Sequence, residues 1–234
     1  MGIAEINNKT SLIKSNIPKV YEAGQNAGYT DGQTSVPNYL YYANVLSSSF
    51  AGAVFPENFE FVLRVQRLFN GSSFTGVFNN CSNLKSVKLV NENPNNLVLN
   101  VQNTFSIASY NPPTLEIVDI TDFNKKFSNC LNTFRYQKVL KSIFGKMDLS
   151  ECTSTANMFQ NCEALEDVEF ESETIKISIG FAQSSNLSAT SIQSIIDGLA
   201  TVETQQTLTL HLTTSAALTD EQLLEIGNKN WSVG

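Results

Sequence analysis

Between about residues 75 and 190 the apolar positions recur in a phrase longer than one strand and shorter than one domain. Phe78-Asn-Asn-Cys81-Ser-Asn-Leu84-Lys-Ser-Val87-Lys-Leu89 is matched type for type by Phe159-Gln-Asn-Cys162-Glu-Ala-Leu165-Glu-Asp-Val168-Glu-Phe170. The shared frame is F-x-N-C-x-x-L-x-x-V-x-[LF], and its opening returns at Phe127-Ser-Asn-Cys130. Looser copies keep an aromatic and an L-x-x-[IV] step: Phe105 with Leu115, Val118 and Ile120, and Phe134 with Leu140 and Ile143 leading to Met147 and Leu149. A degraded copy runs from Phe181 through Ser184 to Leu187. The aromatics at 78, 105, 134, 159 and 181 are spaced by roughly 22 to 29 residues, a period typical of stacked repeats.

Alternation of the V-x-L type puts two apolar side chains on one face of a short strand, and the upstream F-x-N-C turn adds two more. One such unit cannot enclose its apolar face, whereas stacked neighbours form a continuous core. The expected architecture is therefore a β-rich, leucine-rich-repeat-like solenoid over 75–188. Alternation in Asn96–Val101 and Thr174–Ile179 predicts further strands, so more than one per turn. The Asn before each motif cysteine (Asn80, Asn129, Asn161) predicts a partial asparagine ladder, because its side chain can bond turn backbone. Cys81, Cys130, Cys152 and Cys162 read as reduced, buried packing residues: no C-x-x-C pair exists and there is one histidine in the chain.

The flanks read differently. Ala189–Leu199 has helical apolar spacing behind Thr and Ser start signals, Thr207–Leu212 alternates as a strand, and Thr219–Gly227 offers an N-cap, early acids and a closing Gly. A helix-strand-helix cap over 189–234 follows. At the other end, a cap over 38–74 is expected from Tyr39, Tyr41, Tyr42, Phe50, Phe55, Phe59 and Phe61, with a carbohydrate or protein contact patch as the alternative. Residues 1–37 are expected to hold a short helical segment and then a linker or loop with Gly24, Gly28, Gly32 and Pro37. Ile3, Ile6, Thr10, Ile13, Ile17 and Val20 alternate spacings of three and four, the register of a trimeric coiled-coil seam; Pro18 interrupts it, and a short amphipathic helix docked on its own chain is the favoured reading.

The phrases Met147-Asp148-Leu149-Ser150-Glu151-Cys152-Thr153 and Met158-Phe159-Gln160-Asn161-Cys162 resemble the BspA-like, or Treponema pallidum-type, leucine-rich repeat family over roughly residues 75 to 190. That resemblance implies a surface or secreted binding protein of bacteria or some protozoa, and similar repeat proteins are encoded in prophages of gut Firmicutes. The C-terminal ending is similar to tails of such phage-encoded proteins, which implies a virion-associated tail or adsorption component; a bacterial surface adhesin is the alternative. Tyr110-Asn-Pro-Pro113 and Phe144-Gly145 depart from the pattern and are expected to interrupt any ladder.

Composition narrows the chemistry. Hydrophobic residues are 41% and charged residues 16% of the chain, so a core is available while the surface relies on Asn, Ser, Thr and Gln. A net charge of −7 argues against nucleic acid, which needs clustered Lys and Arg. A protein or a surface glycan is the expected partner. The first twenty residues carry no secretory pattern and no segment is long and apolar enough for a membrane helix, so no membrane insertion is expected. No H-E-x-x-H, G-x-S-x-G or P-loop occurs, His211 falls in an alternating segment, and no enzyme activity, cofactor or metal is expected. Glu163, Glu166, Asp167, Glu169, Glu171 and Glu173 are the sole candidates for paired carboxylates or calcium ligands, and their alternation with Val168 and Phe170 reads as the solvated face of a strand.

Overall fold

The computed structural model describes residues 38–41, 47–65, 73–91, 97–123 and 126–234. In chain order the elements are β1 (Asn38–Tyr41), β2 (Val54–Val65), β3 (Ser82–Asn91), β4 (Val98–Asn100), β5 (Ile117–Asp122), β6 (Lys126–Asn129), β7 (Ser142–Phe144), β8 (Ile179–Phe181), α1 (Ala189–Gly198), β9 (Gln206–Leu210), α2 (Leu212–Ala216), α3 (Asp220–Asn228) and β10 (Trp231–Val233). The molecule is strand-rich with few helices. Its sheets, ordered β1-β2-β3-β5-β7, β4-β6 and β8-β9-β10, are parallel throughout and open rather than closed into a barrel.

The V-x-L alternation explains the long sheet. Phe61 and Leu63 pair in register with Val87 and Leu89, Val87 pairs with Val118, and Val118 with Ile143, each buried on the inner face. Because the period along a strand is two, the intervening residues point to solvent. The second layer pairs Leu99 with Phe127, and bridges extend both layers at Ser142–Asp167 and Lys126–Asp148.

Between the layers runs a column of six phenylalanines. Phe50, Phe78, Phe105, Phe134, Phe159 and Phe181 stack in that order with centroids 5.3, 5.4, 5.5, 5.5 and 4.6 Å apart and interplanar angles of 8, 4, 3, 9 and 20°. These spacings track the 4.7–4.9 Å between neighbouring strands, so each ring marks one pass of the chain. A second column, Leu84, Leu115, Leu140, Leu165 and Leu187, is likewise buried. Stacked aromatic pairs contribute about 0.5–1.5 kcal/mol each beyond their burial.

Backbone geometry repeats with the rings. Two residues before the ring the chain is left-handed in five successive passes, at Ser48, Gly76, Asn103, Asn132 and Asn157, with φ between 54 and 64°. Asn tolerates this region better than other side-chain-bearing residues because its short amide can bond locally. The side chains of those asparagines form a ladder: Asn132 Nδ2 donates to Asn103 Oδ1 at 3.0 Å and Asn157 Nδ2 to Asn132 Oδ1 at 3.1 Å.

The ladder thus sits two residues before the ring, not at the residue before the cysteine. Asn80 and Asn161 are also left-handed, but Asn80 Oδ1 instead accepts from Ala108 N–H at 2.7 Å. Asn129 lies in β6 and its Oδ1 accepts from Leu131 N–H at 3.0 Å. A second correction concerns Phe127 and Cys130. Their motif matches the 78–81 and 159–162 copies in letters, yet Phe127 is a β6 residue and Phe134 occupies the ring column. The sequence between Leu115 and Phe134 places β5 and β6 only three residues apart, so an F-x-N-C phrase there falls on a strand instead of the ring turn.

The residue three after each ring shows what the cysteines do. Cys81 Sγ donates to the Phe50 carbonyl at 3.1 Å and Cys162 Sγ to the Phe134 carbonyl at 3.2 Å; Gln137 takes the same place, donating to the Phe105 carbonyl at 2.6 Å. Thr104 and Thr133, one before their rings, each bridge two carbonyls of adjoining passes. The expected interruptions do not occur. Residues around Tyr110, itself 85% exposed, loop outward while the rings on either side remain stacked. Gly145 (φ +99°) lets the chain turn after β7, where a Cβ would lie 2.8 Å from the Thr121 amide nitrogen.

Stacking also begins earlier than the frame suggested, since Phe50 belongs to the column, Phe61 packs edge-on against it and Phe55 edge-on against Phe61. At the far end α1, β9 and α3 form where their patterns predict, with two additions. Alternation stops at Leu210, and His211 caps the five-residue α2, its Nδ1 2.8 Å from Thr213 Oγ1. The terminal strand β10 buries Trp231, whose Nε1 donates to the Ala200 carbonyl at 2.9 Å. Within 174–179 the chain makes a bridge at Ile175 and enters β8 only at Ile179.

Candidate functional site: the outer face of the parallel sheet

The residues between the inward positions of the long sheet line up across its strands in three rows, with Ser142 alone of them buried. One runs Glu60, Ser86, Ile117, Ser142, Asp167; the next Val62, Lys88, Asp119, Phe144; the third Arg64, Val90, Asp122. Parallel pairing in register puts each residue one strand spacing from its row neighbours, so the face reads as a grid of side chains on a rigid support. Phe144, 46% exposed, is a large ring turned to solvent on this grid.

Charges gather at two places, one on the grid around Lys88 and one beside its first row at Lys141 and Glu116. Lys88 Nζ lies 3.3 Å from Asp119 and 2.8 Å from Asp122, and Lys141 Nζ lies 3.1 Å from Glu116. Burial works against the Asp119 charge, but the Thr121 backbone and hydroxyl donors together with Lys88 outweigh it and hold the carboxyl below its usual range. Lys88 is raised, first by its hydrogen bond to Asp122. Asp167 is gripped from both sides, accepting from Ser142 Oγ at 3.0 Å and Ser188 Oγ at 3.3 Å.

The sheet's last edge is finished by side chains. Ser191 Oγ accepts from the Val168 N–H at 2.9 Å and Ser194 Oγ from the Phe170 N–H at 3.0 Å, so α1 supplies the acceptors a following strand would have provided. Ser188, the N-cap of α1, fixes the helix there by accepting from Ser191 N–H at 3.2 Å.

Phe78, Cys81, Leu84, Val87, Leu89, Phe127, Cys130, Phe159, Cys162, Leu165, Val168 and Phe170 are all buried and belong to the core, not to a site. Glu163, Glu166, Asp167, Glu169 and Glu173 are exposed and Glu171 half-buried, on the outside of the strand positions that bury Val168 and Phe170. Among the described residues no group of three or more His, Cys, Asp or Glu is placed to hold a metal ion. An interior gap is lined by Phe74, Leu89, Phe105, Phe123, Phe134 and other apolar residues with Thr104 and Thr133, and a shallow hollow is lined by Glu57, Asn58, Asn83, Lys85 and Thr114; neither brings two carboxyl groups together. Among the described residues no helix is long and apolar enough to cross a membrane. Ile3, Ile6, Thr10, Ile13, Ile17 and Val20, like the side chains of Tyr39, Tyr41 and Tyr42, lie outside what is described.

The grid was not visible in the sequence frame, which is built from inward positions. Its one trace was the polar residue between each V and L, Lys88 in one copy and Asp119 in the next, whose opposite charges meet across β3 and β5. No family model, no curated protein and no solved structure matches the chain.

Proposed function

We propose that the chain is a leucine-rich-repeat-like solenoid that works by binding, presenting the outer face of its parallel sheet to a protein or a surface glycan. The single observation that carries this reading is Phe144, an aromatic ring exposed on the outer face of a parallel sheet, in one row with Lys88 and Asp119. An exposed ring beside polar groups suits both aromatic packing against a protein side chain and stacking on a sugar. The regular column of rings, the ladders at fixed offsets and the parallel pairing support the solenoid reading. A virion-associated role follows from the resemblance of the C-terminal ending alone, with a surface adhesin as its alternative.

The test is binding of the full chain to a glycan array and to immobilised bacterial envelope proteins, with Phe144→Ser and Val62→Ser variants alongside. Loss of at least tenfold in affinity with unchanged melting temperature places the contact on the sheet face. A ligand held equally by both variants and the parent moves the contact elsewhere and overturns the assignment.

A further inference from the structure

Two irregularities in the pairing of β2 with β3 fall side by side. Val54 pairs with Ser82 and Phe59 with Leu84, so Phe55, Pro56, Glu57 and Asn58 stand opposite Asn83 alone; Glu60 then pairs with Ser86, so Lys85 has no partner on β2. Extra residues on one strand bend it and aim their side chains away from the regular rows. The two bulges and the lead-in to β5 meet at the hollow of about 210 Å³ lined by Glu57, Asn58, Asn83, Lys85 and Thr114.

The frame of this hollow is fixed while its charged ends stay available. Asn83, left-handed at φ 63°, donates from Nδ2 to the Phe55 carbonyl at 3.0 Å and ties the longer bulge to β3. Thr114 Oγ1 donates to the Leu84 carbonyl at 3.1 Å, and the Glu116 N–H donates to the Lys85 carbonyl at 2.8 Å, which holds the second bulge against the lead-in to β5. Asn58 is also left-handed, at φ 55°. Among the described residues neither the Glu57 carboxylate nor the Lys85 ammonium is in an ion pair.

All five lining side chains are polar or charged. Glu57 and the Asn83 Oδ1 can accept, Lys85 can donate, Asn58 can do both, and the Thr114 hydroxyl, its proton already committed, can still accept. A purely anionic ligand would meet Glu57 and a purely cationic one Lys85, whereas hydroxyl groups both donate and accept and so satisfy either end. The volume exceeds what one ordered water needs and falls below the roughly 300–1,000 Å³ of pockets that enclose drug-sized molecules. It therefore suits one small unit of a larger ligand.

We propose that this hollow is a sugar subsite, which holds a single uncharged pyranose unit by its hydroxyls. The inference rests on the glycan arm of the binding reading and assigns that arm to the double bulge instead of to the row that carries Phe144.

The experiment is titration of the ¹⁵N-labelled full chain with the methyl glycosides of glucose, galactose, mannose and N-acetylglucosamine, read by NMR at backbone and asparagine side-chain amides. At least one glycoside is expected to move the Asn58 and Asn83 side-chain amides together with the Lys85 and Thr114 backbone amides along a saturable curve. Glu57→Ala and Lys85→Ala are each expected to weaken that binding by roughly tenfold or more with unchanged melting temperature, and Phe144→Ser to bind as the parent does. No saturable shift with any of the four, equal shifts on adding glycine as a zwitterion, or equal affinity in the parent and both hollow variants overturns the subsite. Loss confined to Phe144→Ser overturns it and upholds the sheet face, and a protein ligand without any sugar binding overturns it while the binding reading stands.

Discussion

A single side chain is decisive where it is repeated. Phe134 sits in the middle of the ring column with Phe105 and Phe159 on either side. Replacement by Ala removes two stacked contacts and leaves a cavity, with an expected cost of about 3–5 kcal/mol by urea denaturation. Asn132 combines a left-handed backbone with two ladder bonds. Asn132→Gly keeps the backbone and loses the amide, whereas Asn132→Ala loses both, so the Ala variant is expected to be the less stable by about 1 kcal/mol in the same measurement. Asp119 has a pH signature. Its folded carboxyl lies below its unfolded value near 3.8, so its stabilisation is present above that value and is lost as pH falls through the folded one. Asp119→Asn is therefore expected to melt below the parent at pH 7, by less than about 1 kcal/mol for so exposed a pair, with the gap narrowing as pH is lowered below 3.8.

At the scale of elements, the helix α1 does the work of a strand edge. Ser191→Ala leaves the buried Val168 N–H without its acceptor, and an expected loss of about 1–3 kcal/mol should appear in urea titration together with faster hydrogen exchange at Val168. The capping box of α3 joins Thr219 and Gln222 reciprocally, so Thr219→Ala should cost about 1 kcal/mol. Elements with a strong local period were legible in the sequence: β3 and β5 from V-x-L, α1 and α3 from their caps. What escaped was set by three-dimensional register. Phe127 and Phe134 are both aromatic and seven residues apart, and nothing local states which one joins the column. The outer grid escaped because the inward positions define the frame while outward residues vary freely. The short helix α2 escaped because the alternation through Leu210 gave no sign that His211 would turn and cap it.

Across the molecule, β8, β9 and β10 continue the parallel pairing, and Trp231 of β10 is buried with its Nε1 donating to the Ala200 carbonyl. A chain ending at residue 188 keeps every ring but exposes the Val168 and Phe170 amides and the apolar underside of α1's seat. Exposed parallel edges of this kind template further pairing. That variant is expected to self-associate, read as a mass well above the monomer in light scattering, whereas the parent edge is closed.

The ring column also sets a unit of change for the molecule. Neighbouring passes meet through stacked Phe rings, and five of the six rings follow a left-handed residue two positions before them, so duplication of a pass such as that of Phe134 would add about 5 Å of length and present the same ring and turn to either side. An insertion of one or two residues between a left-handed asparagine and its ring would instead misplace every later contact in that pass. Length can therefore vary in whole steps in evolution while the cross-section stays fixed, and the outward bulge at Tyr110 shows where extra residues are absorbed without disturbing the count.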